Sequence, residues 1–235
     1  MKPMTRRVVT AEFMDDPEIA PEELERHLRY LRFINRRLGG AAAVIGHLKR
    51  QSPGWAADET IRIIDIGTGG ADIPLAVAEW ATRIAPSVQI TAVDVHQKTL
   101  AHARRAVEGR GEIRIARCDA RGLMDRYGPG AFDYALASMV LHHLPDIEVL
   151  TVMRIMDRLA ARGVIISDLA RDAVTKLGAR LSMLGAGRIL RHDALASARA
   201  GFTKREILQL ARRVGLRRPE YRRQWWYRFT LVSGT

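Results

Sequence analysis

The stretch from Ile61 to Asp72 constrains this chain more than any other. It reads I-R-I-I-D-I-G-T-G-G-A-D, an apolar run, an acid, two glycines spaced by one, and then residues of helical character. That order predicts a strand, a tight turn and a helix N-terminus whose outward N–H groups favour an anionic or polar ligand. Glycine suits such a turn because a side chain would hold a ligand off the backbone and because positive φ costs glycine little. Pro74 falls in the first helical turn, where a missing N–H costs nothing. The same residues also fit an ordinary strand-to-helix turn of an α/β protein, and the later motifs separate the two readings.

A dinucleotide fingerprint beginning at Gly67 would need glycine at position 72, where the chain has Asp72. What fits is D-x-G-x-G from Asp65, and with it the chain resembles the class I S-adenosylmethionine-dependent methyltransferases. The resemblance implies close backbone contact of Gly67, Thr68 and Gly69 with the methionine part of that cofactor, over a loop ordered by Asp65. The family often has a third glycine where this chain has Ala71.

One strand later, Gln89 to Asp94 (Q-I-T-A-V-D) ends in a carboxylate. A short acid at that point can accept hydrogen bonds from both ribose hydroxyls. Alone, Asp94 would equally be a turn residue or helix cap. By the resemblance, Val95 lines the adenine pocket. Ile113 to Ala120 (I-R-I-A-R-C-D-A) repeats the pattern, and Asp119 with the Ala120 amide would read the adenine edge, a loop cap being the alternative for Asp119. Cys118, the only cysteine, reads as a small core or pocket-wall residue.

Phe132 to Asp146 reads F-D-Y-A-L-A-S-M-V-L-H-H-L-P-D. Phe132 to Ala137 is expected to be a buried strand, with Ser138 to Leu144 leaving it beside the cofactor's methyl group. The Asn-Pro-Pro-Tyr-like tetrapeptide of many amino-methylating enzymes is absent. The segment L-H-H-L-P-D is instead similar to small-molecule methyltransferases of the ubiquinone and menaquinone type and, more loosely, to plant phenolic O-methyltransferases. In that looser comparison His142 stands where a histidine base stands. An imidazole titrates near neutral pH, and a hydroxyl attacks a sulfonium methyl better as its proton leaves. His142, and after it His143, are the candidate bases; the alternative is that both only shape the loop or cap the next helix.

A chain of 235 residues fits one α/β domain with additions. One cysteine excludes a disulfide scaffold, and no Cys/His spacing suggests a metal site. The N-terminus lacks the sustained apolar run of a secretory signal, and no charge-free run reaches the roughly 18 residues of a membrane span; a cytoplasmic protein is expected. The net charge of +12 allows an RNA or DNA substrate or an anionic surface, but the arginines are spread along the chain. Their one concentration, Arg212 to Arg228, includes Trp225, Trp226 and Tyr227, which are expected either to stack bases or, the reading preferred, to alternate into the core of two late strands.

Pro21 to Leu38 carries a helical stripe of Leu24, Leu28, Leu31, Ile34 and Leu38 ended by Gly39-Gly40, and Ala41 to Leu48 follows as a second helix. Arg32, Asn35 or Arg36 would reach a cofactor carboxylate or lie on a solvated face. Asp146 to Ala161 reads as a helix and Gly163 to Asp168 as a strand. Leu169 to Gly201 reads as a helical insertion beside the acceptor pocket, with Met183 and Leu184 either lining it or plain packing residues. Thr203 to Glu206 opens a helix with a capping box, and Glu220 to Val232 forms a closing strand pair.

The expected architecture is α/β, and the resemblance implies a Rossmann-like seven-stranded sheet in the order 3-2-1-4-5-7-6, its last strand antiparallel, with helices on both faces. Residues 1–55 would form an N-terminal helical cap and 56–235 the cofactor domain, with the insertion at 169–201. The function expected is methyl transfer from S-adenosylmethionine to a small organic acceptor, most simply a hydroxyl oxygen of a phenol, quinol or polyketide-like compound, with a ring carbon next. Two alternatives stay open, an RNA methyltransferase and a non-catalytic cofactor-binding partner protein.

Overall fold

The computed structural model describes residues 7–16, 18–84, 87–172, 175, 188–224 and 227–234. Seven strands, β1 (Thr60–Ile66), β2 (Ser87–Asp94), β3 (Ile113–Arg117), β4 (Phe132–Ser138), β5 (Ala160–Leu169), β6 (Glu220–Arg223) and β7 (Arg228–Gly234), form one sheet in the order 3-2-1-4-5-7-6. β3, β2, β1, β4 and β5 run parallel; β7 runs antiparallel to β5 and to β6. The expected Rossmann-like topology is therefore the observed one.

The central strands are apolar on successive residues because both faces are covered, as a parallel sheet requires. Ile64, Ala135, Ala137, Val164 and Ile166 join one core with Val149, Met153 and Met156 of α6 (Asp146–Leu159) and Ile207 and Leu210 of the helix Lys204–Val214. Ile61, Ile63, Tyr134, Leu136 and Ile165 point the other way. They pack with Val44 and Leu48 of α2 (Gly40–Gln51), Val77 of α3 (Asp72–Ala81) and Ala103 of α4 (Gln97–Ala106). α5 (Leu123–Tyr127) adds Leu123 to the first core.

α1 (Pro21–Arg37) has proline in its first turn, Glu22 and Glu23 beside it and Arg36 and Arg37 at its end, the charge order its dipole favours. α2 begins after a single joint, Gly39. α7 (Arg188–Ala200) is the described part of the insertion; Met183 and Leu184 lie outside the described residues, as do Trp225 and Trp226. The capping box of α8 (Lys204–Val214) has both halves, Thr203 and Glu206 bonding each other's backbone N–H. The helix expected to run to Ala161 ends at Leu159, because Ala160 turns extended and pairs with Phe132 of β4.

Residues 7–16 form a strap across one end of the sheet. Arg7 donates to the carbonyls of Leu141, His142, Leu144 and Ala200 and pairs with Asp146. Asp193 of α7, 3% exposed, ties strap, α1 and α7 together. It accepts the Phe13 and Met14 amides at 3.1 and 3.3 Å and lies 3.3 Å from His27 Nε2 of α1. Contact with Asp193 raises the His27 pKa above its ordinary 6.5 in spite of burial. Burial pushes the Asp193 carboxyl up, but His27 and the strap amides outweigh it and hold it below 3.8.

The histidine's contribution is complete below 6.5 and fades as pH rises through its raised value; the carboxylate's is complete above 3.8 and is lost as pH falls. Protection of the Phe13 and Met14 amides, measured relative to intrinsic exchange, should therefore be greatest between those limits. Asp193→Ala should remove that protection within this window and lower stability there by about 3–5 kcal/mol, as breaking a buried pair does; unchanged protection would rule out the tie.

Candidate active site

β1 delivers Asp65, which is 1% exposed, and the turn behind it. Gly67 and Thr68 donate to the Val93 carbonyl at 2.8 and 3.0 Å, binding the turn to the neighbouring strand β2. Gly67 has φ +69°, and a Cβ there would meet Val140 Cγ2 at 2.5 Å, so both conformation and space demand glycine. Gly69 has φ +56° and nothing within 4 Å of a Cβ position, an open cradle. Ala71 takes φ +61° while fully buried, a conformation that costs a side-chain residue about 1–2 kcal/mol. The glycine usual in the family would be unstrained there.

Asp94 closes the cradle. Its Oδ2 accepts Gly69 N–H at 2.9 Å, and its Oδ1 accepts Val95 and His96 N–H at 2.7 and 3.0 Å. One carboxylate thus sets the relative position of the β1 and β2 loops. Of its roughly four lone-pair sites about one remains, so a sugar diol would share or displace one of these bonds. Val95 stands at the rim, 44% exposed. Asp119 is exposed and caps a short turn by accepting the Arg121 N–H at 2.8 Å, with Ala120 next to it. Cys118 packs partly buried against the core.

Asp65 Oδ1 and Thr68 Oγ1 are buried without hydrogen-bond partners. Burial pushes the Asp65 carboxyl up to about 7, beyond what neighbouring Thr68 offsets. An orphaned acid under an open glycine amide cradle fits a ligand that brings a cation and a sugar together, and the ammonium and ribose of a nucleoside amino acid meet that requirement.

At the end of β4, Ser138 is half-buried and followed by Met139 at φ +61°, a strained residue of the kind that clusters at functional sites. His142 follows, 1% exposed, with Nδ1 2.7 Å from Asp168 Oδ1. Asp168, at the end of β5, also accepts the Leu141 and Leu169 amides at 2.9 and 2.7 Å. Burial pushes its carboxyl up, but the imidazole and these bonds hold it below 3.8. The Nδ1 contact leaves His142 Nε2 facing Glu12 Oε1 of the strap at 3.8 Å. His143 stacks on His142 with ring centroids 4.2 Å apart. Glu12, His142 and His143 bring ligand atoms within 4.8 Å of one another, a grouping with metal-binding donors that sequence spacing did not announce.

Residues 64–165 match the family model described as a methyltransferase domain. That segment is a methyltransferase domain, and its cofactor is S-adenosylmethionine. No curated protein matches its sequence significantly. The methyltransferase shares its fold with a SAM-dependent methyltransferase from Aquifex aeolicus, at TM-score 0.63 and 13% identity over 92% of this chain and 98% of that one. It is also similar to the mitomycin 7-O-methyltransferase, at 0.65 and 18% over 96% and 61%, and to magnesium protoporphyrin IX methyltransferase from Synechocystis, at 0.58 and 16% over 84% of each. At such identities the likeness is one of fold.

The methyltransferase's glycine turn, Asp94, Ser138 and His142 all lie at the carboxyl ends of β1, β2 and β4, whereas Asp119 and Val95 lie at the exposed rim. Of the three cap residues named for the cofactor carboxylate, Arg32 pairs with Asp72 at 3.0 Å, Arg36 is exposed and Asn35 is buried against Arg228. Sequence reasoning missed Asp168, Glu12 and Arg228. Asp168 carried a signal, an acid ending an apolar strand as Asp65 and Asp94 do; Glu12 and Arg228 carried none.

Asp94→Ala should weaken S-adenosylhomocysteine binding by about tenfold to a hundredfold in calorimetry, the worth of a lost bond to a charged group. Asp65 is fully buried with its pKa raised to about 7, so ligand-free stability should fall as pH rises through that value. Asp65→Asn should remove that loss, gaining a few kcal/mol at about pH 8 and almost nothing at about pH 3 in urea unfolding. An unchanged pH profile would mean the acid is not the group that titrates.

Proposed function

We propose that this methyltransferase methylates a small organic acceptor, most directly at a hydroxyl oxygen, with His142 as the base. The observation that carries the small acceptor is the roof over the sheet edge. Glu12 from the strap, His27 and Asn35 from α1 and Asp193 from α7 are all buried there, so the space beside His142 and Ser138 suits a small molecule and not a duplex or folded RNA. Named relatives of this fold act on mitomycin, magnesium protoporphyrin IX and plantazolicin, which supports the same class of acceptor.

Bound S-adenosylmethionine supplies an electrophilic methyl group on a sulfonium. The glycine turn would hold its methionine part and Asp94 its ribose, and the buried Asp65 carboxylate would balance the ammonium. Asp168 holds the His142 Nδ1–H and so fixes the tautomer that leaves Nε2 as acceptor. Nε2 can then take the acceptor's hydroxyl proton at the atom that now faces Glu12. That approach requires residues 7–16 to shift, since Glu12 occupies the near side of the ring. Alignment of the three reacting atoms supplies most of the remaining acceleration, up to roughly 10 kcal/mol.

Label from S-adenosylmethionine should enter phenols or quinols and not RNA; incorporation into RNA alone would favour the reading that the +12 charge allows. His142→Ala should lower kcat by about 100- to 10,000-fold with binding of S-adenosylhomocysteine intact. Asp168→Asn should do the same more mildly. Full turnover in His142→Ala would leave the histidine a purely architectural part. Chelators should not affect the rate; a rate that disappears with EDTA and returns with a divalent ion would reassign Glu12, His142 and His143 to a metal.

A further inference from the structure

Arg228, the first residue of β7, is 1% exposed, yet it has only neutral partners. Its Nη2 donates to Asn35 Oδ1 at 2.6 Å and its Nη1 to Ser138 Oγ at 3.5 Å, while its Nε is buried with no acceptor. The Tyr227 ring lies 5.5 Å from Cζ. Among the described residues no carboxylate lies within ion-pair distance of this guanidinium, and residues 173–174 and 176–187, outside the described set, contain no Asp or Glu. A buried cation is ordinarily paired with an anion, because hydrogen bonds to neutral oxygens and one aromatic face do not replace its hydration. The first turn of α2 worsens the imbalance. A Cβ on Gly40 would sit 3.1 Å from the Arg228 Cζ, and the N-cap, Gly39, offers that positive helix end no side-chain cap.

We infer that Arg228, Asn35 and the first turn of α2 form a carboxylate site within the active centre. The site adjoins Ser138 at the end of β4, and the planar guanidinium fork with its spare Nε–H matches two carboxylate oxygens. Every other buried cation in contact with the strap or the sheet edge has its acid: Arg7 has Asp146 and Arg171 has Glu206. The inference rests on the proposed methyl transfer for the identity of the carboxylate, which belongs either to the amino-acid end of the cofactor or to an acidic acceptor.

Calorimetry on the full chain in carboxylate-free buffer separates the two sources. The first arm compares S-adenosylhomocysteine with its decarboxylated analogue. The second, with S-adenosylhomocysteine saturating, compares the stabilisation given by benzoate with that given by benzyl alcohol. The wild type should prefer the carboxylate in one arm by about tenfold or more, and Arg228→Gln should erase that preference, as loss of one partner of a desolvated charge pair does. Arg228→Lys, which keeps the charge without the fork, should retain part of it. Loss in the first arm assigns the site to the cofactor, loss in the second to the acceptor.

A wild type indifferent to the carboxylate in both arms overturns the site without recourse to any variant, as does a folded Arg228→Gln that keeps its full preference. Failure of S-adenosylhomocysteine to bind at all would instead strike the methyltransferase reading.

Discussion

Register between parallel strands is the constraint on which the site depends. β2, β1, β4 and β5 lie side by side with Val93 opposite Ile66, Ala137 opposite Ile66 on the other edge, and Ser167 opposite Ser138. Their carboxyl ends therefore finish level, and the loops leaving them converge on one crevice. A slip of one residue in any pair would turn Ile63 and Ile64 to the wrong cores and carry Asp65 or Ser138 away from the edge. Apolar burial on both faces thus fixes the chemistry as well as the fold. Asp94 completes the alignment by bonding three amides from two loops.

Above that edge the protein builds a roof from parts distant in sequence. The strap reaches α6 through Arg7 and α7 through the bonds to Asp193, and α1 reaches α7 through His27. Several buried polar contacts hold these pieces together beside the apolar residues that α1 and α7 bury. His142 is buried beneath these pieces, facing Glu12.

Three charged groups are kept in the interior at evident cost. Asp65 lacks a partner for one oxygen, Arg228 lacks one for Nε, and Asp168 is stabilised by His142 and two backbone amides. A chain selected for stability alone would replace the first two with apolar residues. Both lie at the edge of the sheet where the loops after β1 and β4 converge.

The glycine turn, the acids ending β1 and β2, the Leu-His-His-Leu segment and the alternation of helices and strands were legible in the sequence because each is a local signal. An apolar run, a glycine spacing or a capping box such as Thr203 with Glu206 is written within a few residues. The sheet order followed from the family resemblance that these motifs carry, and right-handed crossovers put helices on both faces. Glu12 beside His142, Asp168 behind it, Asp193 binding the strap and Arg228 bonded to Asn35 pair residues 26 to 193 positions apart. Only the packed structure decides these pairs, because the desolvation that makes a lone acid or arginine chemically meaningful exists only after the chain has closed around it.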